Sequence, residues 1–249
     1  VNMLIDSNKF VGNSGEGIGF YSTSTTTITI SNNEFSGNRR SIGLVNVTSS
    51  AITGNNSHDS NDSATADIRI FGGIDQLSVT GCMANGAGRA IRITNDYGSN
   101  TNITINNTGI SGYAVDGLVV ETGGHSGRLD AENNWWGNST GPSNVNNVGG
   151  TGQTVVDPDV VVDFLPFLTS PPAACPRPPA ITSANNTTFT VGTAGSFPVT
   201  TTGFPTPSLT RGGALPSGVT FVDQGNGTVL DTTWQSWNAL IGGWWSENG

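Results

Sequence analysis

The sequence predicts an all-β protein, a parallel β-helix of about six coils followed by a small, incomplete β-sandwich. Three observations predict it. One motif recurs at a nearly constant spacing through the first half of the chain, apolar residues inside each motif alternate with a period of two, and the motif carries no helical stripe. Self-similarity at a fixed period of about 20–50 residues marks a stacked-repeat fold, in which no unit buries its apolar face alone and neighbours supply the missing core.

In chain order, the first half of the motif reads LIDSNKFVGN from Leu4, ITISNNEFSGN from Ile28, AITGNNS from Ala51, LSVTGCMANG from Leu77 and ITINNTGISG from Ile103. The second half reads GIGF from Gly17, SIGL from Ser41, DIRI from Asp67, AIRI from Ala90 and DGLVV from Asp116. Ile5, Ile30, Ile52, Val79, Ile105 and Leu129 align as one series, separated by 25, 22, 27, 26 and 24 residues. Ile18, Ile42, Ile68, Ile91 and Leu118 align as a second, separated by 24, 26, 23 and 27. Within strands, pairs such as Ile42 and Leu44, or Ile91 and Ile93, point one way with Gly or Arg between them, which reads as ladders inside and intervening residues outside. Asn8, Asn33 and Asn55 follow the first series by three residues, where the coil bends. Asn tolerates the left-handed backbone region and its amide can bond the equivalent residue of the next coil, so a partial Asn ladder is expected, lost at Cys82 and Thr108.

The last coil reads RLDAENNWWGNSTGPS from Arg128, followed by Val156-Asp157-Pro158 and Phe164-Leu165-Pro166-Phe167-Leu168. With these segments the block from Val1 to Leu168 resembles the right-handed β-helix repeat proteins of bacterial and archaeal surfaces, and is similar to the pectate-lyase and nitrous-oxide-accessory superfamilies. The resemblance implies a right-handed parallel β-helix. It implies little about activity, because the fold hosts enzymes, binders and inert spacers.

The Pro-rich stretch 169–179 reads as a semi-rigid linker. From Ala180 to Leu230 β-rich runs alternate with turn signals. The run from Thr190, Pro205-Thr206-Pro207 and Ala214-Leu215-Pro216-Ser217-Gly218 resemble the start of the immunoglobulin-like modules of bacterial surface proteins, without the strands that close that family's sandwich. Residues 231–249 hold four of the six Trp. Trp234, Trp237, Ile241 and Trp244 are spaced like one helix face until Gly242-Gly243, and with Leu240 and Trp245 they form a candidate assembly or docking segment. It is expected to plug its own module, to dock on a neighbour, or to be an end without function.

At 34% hydrophobic and 11% charged residues, with 35 Gly, the chain is too apolar for disorder and unusually poor in charge. A net charge of −9 excludes a basic nucleic-acid surface. No apolar run approaches the ~18 residues of a spanning helix, and no signal peptide is visible, so the chain reads as a mature or excised piece of an extracellular or cell-surface protein. A disulfide between Cys82 and Cys175 would tie the linker back along the solenoid if geometry allows. Nine Asn-x-Ser/Thr sequons, at Asn46, Asn55, Asn61, Asn102, Asn106, Asn138, Asn185, Asn186 and Asn226, are glycan sites only in a source with the machinery.

Chemistry is sparse. Relatives that hydrolyse galacturonans carry carboxylates and cations on neighbouring coils, and the nearest pieces here are Thr94-Asn95-Asp96, Gly124-His125-Ser126 and Arg92-Ile93-Thr94, out of order. Arg69 and Arg92 occupy the outward slot of adjacent coils and, with Glu16, Asp67 and Asp116 just upstream of equivalent strands, form either a carbohydrate-facing patch or charges paired across coils. Trp135 and Trp136 either stack on sugar rings or plug the end of the solenoid. His58, Asp59 and Asp62 offer a weak calcium site, and no other cofactor is expected. The reading is a structural or adhesive repeat protein that self-associates or joins neighbouring surface-protein domains, possible also as a filament subunit. The alternatives are a polysaccharide lyase or glycoside hydrolase on uronate-type polymers, and a passive glycan-binding module.

Overall fold

The computed structural model describes residues 2–173, 175, 177–188, 190, 196–204, 209–214, 220–223, 228–230 and 245–247. It divides into two compact units, Val1–Cys175 and Pro176–Gly249. No helix occurs among the described residues.

The first unit is a parallel β-solenoid of about five turns. Its strands are β1 (Asn2–Asp6), β2 (Lys9–Val11), β3 (Glu16–Ser31), β4 (Glu34–Ser36), β5 (Arg40–His58), β6 (Ala66–Gly72), β7 (Asp75–Ala84) and β8 (Arg89–Ile93). They continue as β9 (Thr101–Ile105), β10 (Gly109–Ser111), β11 (Leu118–Val120), β12 (Leu129–Asp130), β13 (Pro142–Ser143), β14 (Gly152–Val156) and β15 (Val162–Asp163). Three stacks of parallel strands result. The first runs β1, the end of β3, the middle of β5, β7, β9, β12 and β15. The second runs β2, β4, the end of β5, the end of β7 and β10. The third runs the start of β3, the start of β5, β6, β8, β11 and β14.

Both aligned series are ladders. Ile5, Ile30, Ile52, Val79 and Ile105 pair in register in the first stack, and Ile18, Ile42, Ile68, Ile91 and Leu118 in the third. Leu129 is two residues out of the expected series. Asp130 pairs with Thr104, which sets Leu129 beside Ile103. In the second stack Phe10 lies flat on Phe35, with ring centroids 5.0 Å apart and planes at 11°. Gly17 leaves room for that ring, since a Cβ there would sit 2.8 Å from it. Together these ladders fill a single apolar core from Ile18 to Phe164, and each large aliphatic side chain buried in it contributes about 1.5–3 kcal/mol.

The corners carry the expected amide ladder but place the left-handed residue elsewhere. Asn33 Oδ1 accepts from the backbone N–H of Asn8 at 2.9 Å, and Asn55 Oδ1 accepts from that of Asn33 at 2.9 Å. The left-handed residue, however, is the one before each ladder Asn: Ser7, Asn32 and Gly54. The ladder resumes at Asn134, whose Oδ1 accepts from the Thr108 N–H. A second corner keeps a left-handed residue in every coil, at Gly12, Gly37, Asp59, Asn85, Gly112 and Gly137, with Asn13 and Asn38 forming another amide ladder. Cys82 and Cys175 form a disulfide with Cα atoms 5.1 Å apart, which holds Cys175 beside Gly109, with Pro172 next to it.

The second unit is antiparallel. β16 (Arg177–Ile181), β17 (Val199–Phe204), β20 (Thr228–Leu230) and β19 (Val222–Asp223) form one sheet in that order. β18 (Leu209–Arg211) pairs with β21 (Trp245–Glu247) in another. Trp245 therefore lies in a strand of its own unit. Trp234, Trp237, Leu240, Ile241 and Trp244 lie outside the described residues.

Candidate functional site on the third sheet

The outward slot of the third stack reads Gly19, Gly43, Arg69, Arg92, Val119 and Val156, coil by coil. The two glycines make a recess. A Cβ on Gly43 would lie 2.7 Å from the Tyr21 hydroxyl and 2.9 Å from Glu16 Oε1, so the Tyr21 and Glu16 side chains lie across bare backbone. One coil on, the pairing register shifts between Leu44↔Ile70 and Val45↔Gly72, leaving Phe71 as the extra residue of a bulge. Bulges re-aim side chains. Phe71 sits between Tyr21, at 5.5 Å and 58°, and Tyr97, at 6.3 Å and 83°. Tyr21 is 51% and Tyr97 61% exposed.

Guanidinium groups surround this aromatic trio. Arg69 lies over the Phe71 ring at 4.3 Å and Arg40 at 5.2 Å. Each Arg of the strip also meets a carboxylate: Arg40 with Glu16, Arg69 with Asp96 at 3.2 Å, and Arg92 Nε with Glu121 at 2.7 Å. Every one of these pairs joins successive coils. Burial, then the charges of Arg92 and Arg40, pulls the Arg69 guanidinium below its ordinary range, against the pull of Asp96. Arg69 Nε is buried without a hydrogen-bond partner. Burial, followed by the hydrogen bond to Glu16, pushes the Tyr21 phenol up to about 12, so Tyr21 is neutral at any ordinary pH.

The remaining candidate residues fall elsewhere. Trp136 is completely buried in the core, and Trp135 is half-buried with its backbone bonded to Thr108 and Ile110, so the pair closes the stack. Trp136 therefore offers no face to a sugar. Asp67 points into the core and not into a surface patch, and Asp116 pairs with Arg89 at 2.9 Å. His125 is buried; its Nε2 accepts from the Ile103 N–H at 3.4 Å and its Nδ1 faces the Gly127 carbonyl at 3.1 Å, a structural corner with burial holding its pKa down. At the weak calcium site His58 meets Asp59 at 2.9 Å while Asp62 pairs with Arg39 at 2.7 Å, and no group of three metal-ligating side chains occurs among the described residues. A depression of about 440 Å³ at the closing end is lined by Arg128, Val160, Val162, Phe164 and Leu165, with Arg128 bonded to Asp163 and Glu132.

Arg69 and Arg92 were the legible part of the strip. The repeat does not mark Tyr21, Phe71, Tyr97 or Arg40, although Gly19 and Gly43, in the slot where later coils carry Arg69 and Arg92, signal a recess where large neighbours can lie down. No protein-family model matches the chain, and no curated protein matches it.

Proposed function

We propose that the chain is an adhesive β-solenoid of the cell exterior, a stiff scaffold that holds glycan on the outer face of its third sheet. The observation that carries this reading is the Tyr21–Phe71–Tyr97 trio with Arg40 and Arg69 packed on it. Exposed aromatic faces stack on the apolar faces of sugar rings, and the flanking guanidinium and carboxylate groups are placed to hydrogen-bond sugar hydroxyls. Parallel strands joined by ladder after ladder fix these groups on rigid elements, as a binding platform requires. The disulfide supports an oxidising compartment. The second unit, read as an immunoglobulin-like module, would serve as a spacer.

An enzyme reading draws less support, since each carboxylate of the strip is engaged by an Arg rather than left free for acid–base work. Affinity electrophoresis through gels containing soluble polysaccharides tests the proposal. Retardation by at least one polymer, weakened at least about tenfold in Tyr21→Ala and Tyr97→Ala, supports it. Equal mobility of native and variant proteins in every gel would sink it, and release of reducing or unsaturated ends from the polymer would turn it into an enzyme.

A further inference from the structure

We infer that the ligand of this face is an uncharged glycan in a flexible, non-crystalline chain. The inference rests on the glycan-binding reading above and narrows it by charge and by shape. Three guanidinium groups lie on the strip, and three carboxylates cancel them: Glu16 on Arg40, Asp96 on Arg69, Glu121 on Arg92. Asp96 is held twice, since the Thr94 hydroxyl donates to its Oδ2 at 3.0 Å. A polyanion would have to displace carboxylates already bonded, while approaching a chain of net charge −9. A neutral sugar meets no such penalty. Its hydroxyls can donate to the outer lone pairs of Asp96 and Glu121, which stay accessible beside their Arg partners.

Shape excludes a flat crystal face. The rings of Tyr21 and Tyr97 stand at 58° and 83° to Phe71, so the three do not form a coplanar platform. A single chain can turn to follow such a surface, but a crystalline sheet of parallel chains cannot.

The test uses the full chain and matched polymers of one backbone, hydroxyethyl cellulose against carboxymethyl cellulose, with neutral xylan, mannan and galactan against polygalacturonate, plus crystalline cellulose. Binding to at least one neutral soluble polymer is expected, changing less than about twofold from low to high salt because no net charge is neutralised. Glu121→Gln combined with Asp96→Asn is expected to bare two guanidinium groups and create salt-sensitive binding to the carboxylated polymers. Salt-sensitive binding of the native chain to anionic polymers alone would overturn the inference while leaving the glycan face standing. Retention on crystalline cellulose would overturn the shape argument, and no retention on any polymer would overturn both the inference and the reading beneath it.

Discussion

At the scale of the residue, the most consequential buried group is Asp67. It stands in the apolar interior with no exposed surface, bonded by the Tyr113 hydroxyl and, at 3.0 Å, by that of Ser41, with Ser57 and Ser60 beside it. Tyr113 reaches it over Gly86, where a Cβ would stand 2.1 Å from the Tyr ring. Burial outweighs the four hydroxyls and raises the Asp67 pKa. A carboxyl raised in the folded state keeps a proton that the unfolded chain releases above about pH 4, so the stability it contributes is full below that pH and is lost as pH rises toward the folded value. Asp67→Asn should therefore be close to neutral at pH 4 and stabilising at pH 8. Urea unfolding of both proteins at the two pH values checks this, and a variant less stable at pH 8 than at pH 4 relative to the native chain would refute the sign. The half-buried carboxyls of Asp62 and Asp163, held low by backbone N–H bonds and Arg partners, act in both proteins alike and cancel in the difference. Nothing in the sequence joins Asp67 to Tyr113, 46 residues away. Asp67 reads there as a surface carboxylate because three equivalent coils have Gly17, Ser41 and Gly117 nearby, and small residues do not declare which way a neighbour points.

At the scale of the element, the corners set the register of the coils. Asn55 serves a buried corner, its Nδ2 donating to the Ile30 carbonyl at 2.8 Å and its Oδ1 accepting from the Asn33 N–H at 2.9 Å. Asn55→Ala leaves these buried backbone groups unpaired at about 1–3 kcal/mol each, whereas Asn8→Ala, at an exposed end of the ladder, costs less. Denaturant midpoints of the two variants should fall in that order. The disulfide closes a loop of 93 residues. On the chain-entropy account such a loop is worth up to about 4–5 kcal/mol, so Cys175→Ser should lower the melting temperature, and a reductant should lower that of the native chain but not of the variant. Both ladders of Ile were legible, because a period of two with bulky residues leaves one register that buries them all. The slip at Leu129 was not, since the slot it vacates is filled by Ala131, too small to signal a core position. The left-handed corner residues escaped for a related reason: the adjacent Asn32 and Asn33 are equally plausible hosts, and only the backbone separates them.

At the scale of the molecule, about five turns of solenoid bring residues from five successive coils onto one face. That convergence is why the strip was only half legible. Arg69 and Arg92 share an aligned slot and could be found by the repeat alone. Tyr21, Phe71 and Tyr97 occupy a register break inside β3, a bulge and a turn, places where insertions break the repeat and alignment gives no guidance. The same geometry predicts that Gly43→Val, which fills the recess under Tyr21, should leave the melting temperature within a few degrees while weakening glycan retention; equal retention would show that the recess plays no part. The most direct test of the account is backbone NMR of the first unit within the full chain, with and without the polysaccharide that retards it. Shifts gathered on Glu16–Tyr21, Ala66–Gly72, Arg89–Ile93 and Asp96–Tyr97 are the result the account predicts. Shifts confined to the first or second stack, or none at saturating polymer, would contradict it.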